Sequence, residues 1–171
     1  MQRASRAVSI AAVLCMALLA SACASKTNQD LAGANGAGGY GRGGGGGGPP
    51  GSQQDFVVNV GDRVFFEDNS TDLTSTAQAT LDKQAQWLSR YPRYAITIEG
   101  HADERGTREY NLALGARRAQ NTRDYLASRG VSSQRLRTIS YGKERPVAVC
   151  DDISCWSQNR RAVTVLGGPS S

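Results

Sequence analysis

The chain of 171 residues has one histidine, two tryptophans, two methionines and three phenylalanines. A single histidine leaves no set of imidazoles for a metal centre, and no nucleophile–histidine pair stands out around it. Aromatics make up 6% of the residues, and 20 lysines and arginines are interspersed with 15 acids rather than gathered into runs. The pI of about 9.3 therefore lacks the basic-aromatic stripe that a nucleic acid calls for, and no nucleic-acid partner is expected. Beyond the N-terminus there is no sustained apolar run of twenty residues and no series of long alternating strands. A spanning helix and a membrane barrel are both disfavoured there.

What the chain does have begins with "MQRASRAVSIAAVLCMALLASACAS". Arg3 and Arg6 precede an uncharged apolar stretch from Ala7 to Ala20, the layout of an export signal too short to span. The small residues before Cys23 in "ASAC" resemble a bacterial lipoprotein signal, in which the cysteine freed by cleavage carries the lipid. Ala20 stands where that pattern prefers leucine. Residues 1–22 are read as the signal peptide and Cys23 as the lipidation site. Ala24 is not the aspartate that resembles an inner-membrane retention signal, so a lipid anchor in the outer membrane is expected. Losing residues 1–22 removes two arginines and no acid, which lowers the formal charge from +5 to +3.

Residues 23–54 read as the lipidated N-terminus and a linker. "KTNQDLAGANGAGGYGRGGGGGGPPGSQQ" offers too little apolar surface to offset the entropy of ordering. About thirty such residues span roughly 30 Å on average at about 5–6 Å per √n, and about 100 Å stretched at roughly 3.3–3.6 Å each. No strand precedes the glycines and no Lys-Ser/Thr follows, which argues against a phosphate-binding loop.

The folded domain is placed at 55–167, with 168–171 as a tail. "DFVVNV" and "DRVFFED" read as short strands turned by Gly61. A helix is expected from Thr74 to Tyr91, burying Ala77, Leu81, Ala85 and Leu88, and stopped by Pro92. "YAITIEG" is a strand. A second helix follows from about Glu109 to Ser128, with Leu112, Ala116, Ala119 and Leu126 inward and Gly130 as its stop. "RLRTISYG" and "RRAVTVLGG" supply two strands, with a short helix at "WSQNRR" between them. The order β-α-β-α-β-β argues an α/β (α+β) sandwich with both helices on one face of a mixed sheet. Cys150 and Cys155, in "VCDDISCW", are expected to form a disulfide in an oxidising compartment. Its loop is small, so it should clip a loop rather than underpin the fold.

The densest chemistry lies in "GHADERGTREYNLALGARRA". Asp103 follows a strand in a loop that Gly106 lets turn sharply, and Arg118 comes fifteen residues later on a helix. A cleft offering one carboxylate and one planar guanidinium suits a zwitterion. His101 reads as a residue that orders the loop. Glu104, Arg108 and Glu109 read as exposed, and Asn159, Arg160 and Arg161 either support the cleft or fix the last strand. Asp103 and Glu104 are adjacent, with no second carboxylate at a useful separation for acid–base hydrolysis. The expectation is a binding domain, with no catalytic residue, cofactor or metal.

That segment, with "ISYGKERP" and "NRRAVTVL" downstream, resembles the OmpA-like peptidoglycan-binding domain family over roughly 58–166. The resemblance implies a ligand, the peptidoglycan stem peptide, held at the zwitterionic end of meso-diaminopimelate. It implies Asp103 for the ammonium and Arg118 for the carboxylate, with Arg105, Asn111 and Leu114 lining the same pocket. Asn69 in "FFEDNSTDL" belongs to the set. It stands where the family often has aspartate, which removes the expectation of a charged contact from that loop. The resemblance also implies TolB and its partners in the envelope as binding proteins, in a system that acts during cell division.

Overall fold

The computed structural model describes residues 47–169. The expected signal peptide, Cys23 and the linker as far as residue 46 lie outside the described residues, as does the end of the tail.

The described chain opens with a helical turn, α1 (Gln53–Asp55), that continues as a wider turn over Phe56–Val60. There follow β1 (Arg63–Phe65), α2 (Ser75–Arg90), β2 (Tyr94–His101), α3 (Arg108–Ser128), β3 (Leu136–Gly142), α4 (Ile153–Asn159) and β4 (Arg161–Pro169). The sheet order is β1-β4-β2-β3. β2 and β3 run parallel, joined by the helical crossover α3 that such a pair needs. β1 and β2 each pair antiparallel with β4. The mixed sheet with α2 and α3 on one face is the architecture expected from the sequence.

Period-2 burial along β2 aims Ile96 and Ile98 at that face. They meet Leu81 and Leu88 of α2, Ala119 and Leu126 of α3, and Ala162 and Leu166 of β4. Fully burying each Leu or Ile stabilises the fold by about 1.5–3 kcal/mol. Helix α2 begins where Thr74 Oγ1 accepts the Ala77 N–H at 3.2 Å, and all four of its expected inward residues are buried.

Two expectations fail. "DFVVNV" is not a strand. Phe56 is fully buried and Val60 partly, at helical i,i+4 spacing, while Val57 and Val58 stay 47% and 55% exposed. Asp55 fixes this turn by accepting from Gly51 N–H (2.8 Å), Asn59 Nδ2 (2.9 Å) and the Trp87 indole (2.9 Å). Tertiary contacts here override the strand preference of paired valines. They also draw in the last residues of the stretch read as linker, since Gly51 C=O accepts from Tyr94 Oη at 2.7 Å and Arg93 Nη2 at 2.8 Å. The strand in "DRVFFED" is correspondingly short.

The second failure is partial: on α3, Ala119 and Leu126 are fully buried as expected, but the other two expected residues are not. Leu112 is 48% exposed and Ala116 is exposed. The buried face runs instead through Asn111, Leu114, Gly115, Arg118, Ala119, Thr122 and Leu126. Three of those residues are polar, so apolar periodicity finds only part of the buried face.

Gly100 and Gly115 let the backbones of β2 and α3 touch. A Cβ on Gly100 would overlap the Gly115 carbonyl oxygen, and one on Gly115 would lie 2.9 Å from Gly100 O. This contact presses the first half of α3 against the end of β2. Gly100→Ala should therefore destabilise at or above the top of the roughly 1–3 kcal/mol typical of overpacking. Gly168→Ala, with nothing within 4 Å of its Cβ, should change stability little. Urea denaturation of both variants measures the contrast.

Candidate functional site

Three segments converge beside the Gly100–Gly115 contact: the loop after β1, the loop after β2 and the first half of α3. They enclose a cleft of about 290 Å³ lined by Asp68, Asn69, Asp103, Arg105, Gly106, Tyr110, Asn111, Leu114 and Arg118. All six residues named from the sequence meet there. A wider cleft of about 620 Å³ runs along β1 and the start of α2. Its one buried charge, Arg160, turns its guanidinium to Phe66 C=O at 3.1 Å and to Asp103 Oδ2 at 3.4 Å. The smaller cleft therefore holds the chemistry.

The loop after β2 is fastened from several sides. Gly106 takes φ 83°, and Thr107 Oγ1 caps α3 by accepting the Tyr110 N–H at 3.2 Å. Asn111 Nδ2 donates to Arg105 C=O at 2.6 Å. Lys143 Nζ donates to the carbonyls of Glu104 and Gly106, at 3.1 and 2.6 Å. Glu104, Arg108 and Glu109 are exposed, as expected.

Asp103 is only 6% exposed. Arg105 donates to it through the backbone N–H and Nε, both at 3.2 Å, and through Nη2 at 2.7 Å. Burial pushes the carboxyl up, but the hydrogen bonds and charge of Arg105, aided by Arg160, outweigh it and hold it below the usual value. Arg105 also grips Asp68, and hydrogen bonds to both acids raise its own pKa. Asp68 thus supplies the charged contact not expected from the loop after β1. Asn69 sits next to it at φ 49°, a left-handed conformation that Asn tolerates better than most residues, and accepts the Tyr110 hydroxyl.

Arg118 has no exposed surface. Nε donates to Ser70 C=O and Nη1 to His101 C=O, each at 2.9 Å, and Nη2 to Glu67 C=O at 3.4 Å. Among the described residues it forms no salt bridge. A guanidinium has five N–H groups, so two remain after these bonds. Burial, then the neighbouring charge of Arg160, lowers its pKa to about 10 against the pull of Asp103, which leaves it charged at neutral pH. The cleft therefore pairs a buried anion with a buried cation that has no bonded acid. Leu114 supplies an apolar wall, buried at 5% exposure.

His101 is 1% exposed and lies tilted against Tyr141, with ring centroids 5.6 Å apart. Neither ring nitrogen has a hydrogen-bond partner, and Glu99 Oε2 stands 3.7 Å from Nε2. Burial, with the charges of Arg161 and Arg145, lowers its pKa from 6.5 to about 4. The open choice for the last segment divides. Arg160 supports the cleft, whereas Asn159 and Arg161 hold backbone. Asn159 binds Val147 N–H at 2.9 Å and Ala148 C=O at 2.8 Å, and Arg161 Nη2 binds Arg145 C=O at 3.1 Å. Cys150 and Cys155 form the expected disulfide. Sequence reading passed over Asp68 and Tyr110, although each adjoins a residue it named.

A family model described as the OmpA family matches residues 65–160. A protein named peptidoglycan-associated lipoprotein from Rhizobium meliloti (strain 1021) is 69% identical over 164 residues, covering 96% of this chain and 89% of its own length. The crystal structure of the peptidoglycan-associated lipoprotein from Burkholderia pseudomallei superposes with a TM-score of 0.60 at 43% identity, over 62% of this chain and 90% of that one. The C-terminal domain of Helicobacter pylori MotB shares the fold, with a TM-score of 0.59 at 23% identity over 64% of this chain and 86% of its own.

The buried imidazole makes stability depend on pH. An unfolded histidine near its ordinary 6.5 binds a proton that the folded one, at about 4, refuses. The unfolded state gains protons in that window, so stability falls as pH drops from about 6.5 to about 4. Asp103, with its lowered pKa, adds its loss only as pH falls below the ordinary aspartate value. Denaturant titrations at pH 7, 6, 5 and 4 should show this loss in the parent and a flatter profile in His101→Gln. Parallel profiles would mean that His101 does not carry it.

Proposed function

The chain belongs to the OmpA family, among the peptidoglycan-associated lipoproteins, and on that premise we propose that it tethers the outer membrane to peptidoglycan by gripping diaminopimelate. Its relatives are named for association with peptidoglycan, and the chain is not an enzyme. The observation that carries the reading is Arg118, a buried guanidinium with spare N–H groups and no bonded acid, in one cleft with the buried carboxylate of Asp103. A zwitterion complements such a pair. The free end of meso-diaminopimelate sets its ammonium on Asp103 and its carboxylate on Arg118, and its methylene arm lies along Leu114. Arg105, Asn111 and Asn69 shape the rim.

Cys23 carries the lipid in the outer membrane, and the glycine-rich segment after it lets the domain reach the wall. Lipid and wall contacts on one chain raise each other's effective concentration, so a modest affinity at the cleft suffices. TolB is the protein partner, and the chain works in the Tol–Pal system that maintains the envelope during division.

Asp103→Asn keeps the side-chain shape and removes the charge. Losing one charge-assisted hydrogen bond costs about 1.5–3 kcal/mol, about tenfold or more in affinity. Sedimentation with diaminopimelate sacculi should fall accordingly, with no muropeptides released by parent or variant. Arg118→Lys should also weaken binding, because one ammonium cannot serve three carbonyls and a ligand together. Undiminished sedimentation of both folded variants would rule out the clamp. A separate mass spectrum of the mature N-terminus should find lipid on Cys23, and an unmodified cysteine there would break the tether.

A further inference from the structure

Helix α4 has only seven residues, too few to be stable alone, yet it backs the charged edge of the cleft. Asp152 caps it, accepting the Ser154 N–H at 2.7 Å. The Cys150–Cys155 disulfide ties its first turn to the preceding loop. The residue after Cys155 is Trp156. Its ring lies 4.3 Å from the Arg105 guanidinium, and its indole N–H donates to Glu104 in the same loop as Asp103. Arg105 needs such a backstop. Its side chain is 39% exposed, and Asp68, one of its two acid partners, is 59% exposed. A long cation on an open rim otherwise samples several rotamers. Because the Arg105 side chain donates two of the hydrogen bonds to Asp103, whatever holds that side chain also sets the carboxylate.

We propose that Trp156, locked by the Cys150–Cys155 disulfide, is a positioning residue for the cleft: it holds Arg105 on Asp103 and so sets affinity for the diaminopimelate end of the stem peptide. This rests on the binding reading above. The disulfide, which the sequence marks as a local clip, acts at a distance through one aromatic face.

The test uses the mature chain labelled with 5-fluorotryptophan. It gives two ¹⁹F signals, one from Trp156 and one from Trp87, which is packed in the core. The probe is a muropeptide whose stem ends in diaminopimelate. In the parent the muropeptide should shift the Trp156 signal and leave that of Trp87 in place. The double variant Cys150→Ser/Cys155→Ser should move or broaden the Trp156 signal without ligand. It should also bind about two- to fivefold more weakly, the scale of an exposed cation–π contact. Trp156→Ala should lose the same factor, and Trp156→Phe, which keeps an aromatic face, should recover most of it. Full affinity in the cysteine and alanine variants would overturn the proposal, as would a Trp156 signal indifferent to the disulfide. A parent that fails to bind the muropeptide would instead sink the binding reading. The ligand-free Trp156 signal would still decide whether the disulfide holds Trp156 in place.

Discussion

One buried cation organises the site. Arg118 reaches from α3 to three backbone carbonyls, Glu67 and Ser70 in the loop after β1 and His101 at the end of β2. A guanidinium without exposed surface is tolerable only if dipoles replace its water. These carbonyls do so, and in doing so they join the three segments that enclose the cleft. The same bonds occupy three of its five N–H groups and, among the described residues, bring no acid that would neutralise it. Arg118 is thus a structural pin, and in the proposed reading it is also the receptor for the ligand's carboxylate. The glycine contact between β2 and α3 makes its position attainable, because a side chain at Gly100 would hold the helix away.

The opposite charge is handled differently. Asp103 is kept ionised by neighbours rather than by water. Arg105 and Arg160 offset the penalty of its burial, and Arg105 is itself held between Asp68 and the Trp156 ring. Both charges are therefore held in place by protein neighbours, the preorganisation on which the proposed binding relies. Lys143, Asn111 and Thr107 fasten the intervening loop, which holds Asp103 and Arg118 in fixed relation.

Much of this was legible in the sequence, because the relevant signals are local. The strand pattern of Tyr94–His101, the spacing of Ala77, Leu81, Ala85 and Leu88, and the stops at Pro92 and Gly130 each reflect short-range preferences that the fold keeps. The six residues expected at the site, which line one cleft, were named because the charged segment resembles a known pattern. What stayed hidden depends on partners far along the chain. Phe56–Val60 turns into a helix because Asp55 finds Trp87, 32 residues away. The inward face of α3 was only half read because it also buries Asn111, Arg118 and Thr122, whose partners are backbone carbonyls of loop, strand and helix rather than apolar groups. Asp68 stayed hidden because the family pattern places the acid at position 69, where this chain has asparagine. The structure moves the charge by one residue and gives Asn69 the left-handed turn.

The most direct measurement is a crystal structure of the chain with a stem peptide ending in meso-diaminopimelate. The ammonium should sit within hydrogen-bond distance of the Asp103 carboxylate, and the carboxylate should take the two spare N–H groups of Arg118 while the three carbonyl bonds persist. A peptide seated along β1 and α2 instead, or one whose carboxylate lies away from Arg118, would contradict the clamp.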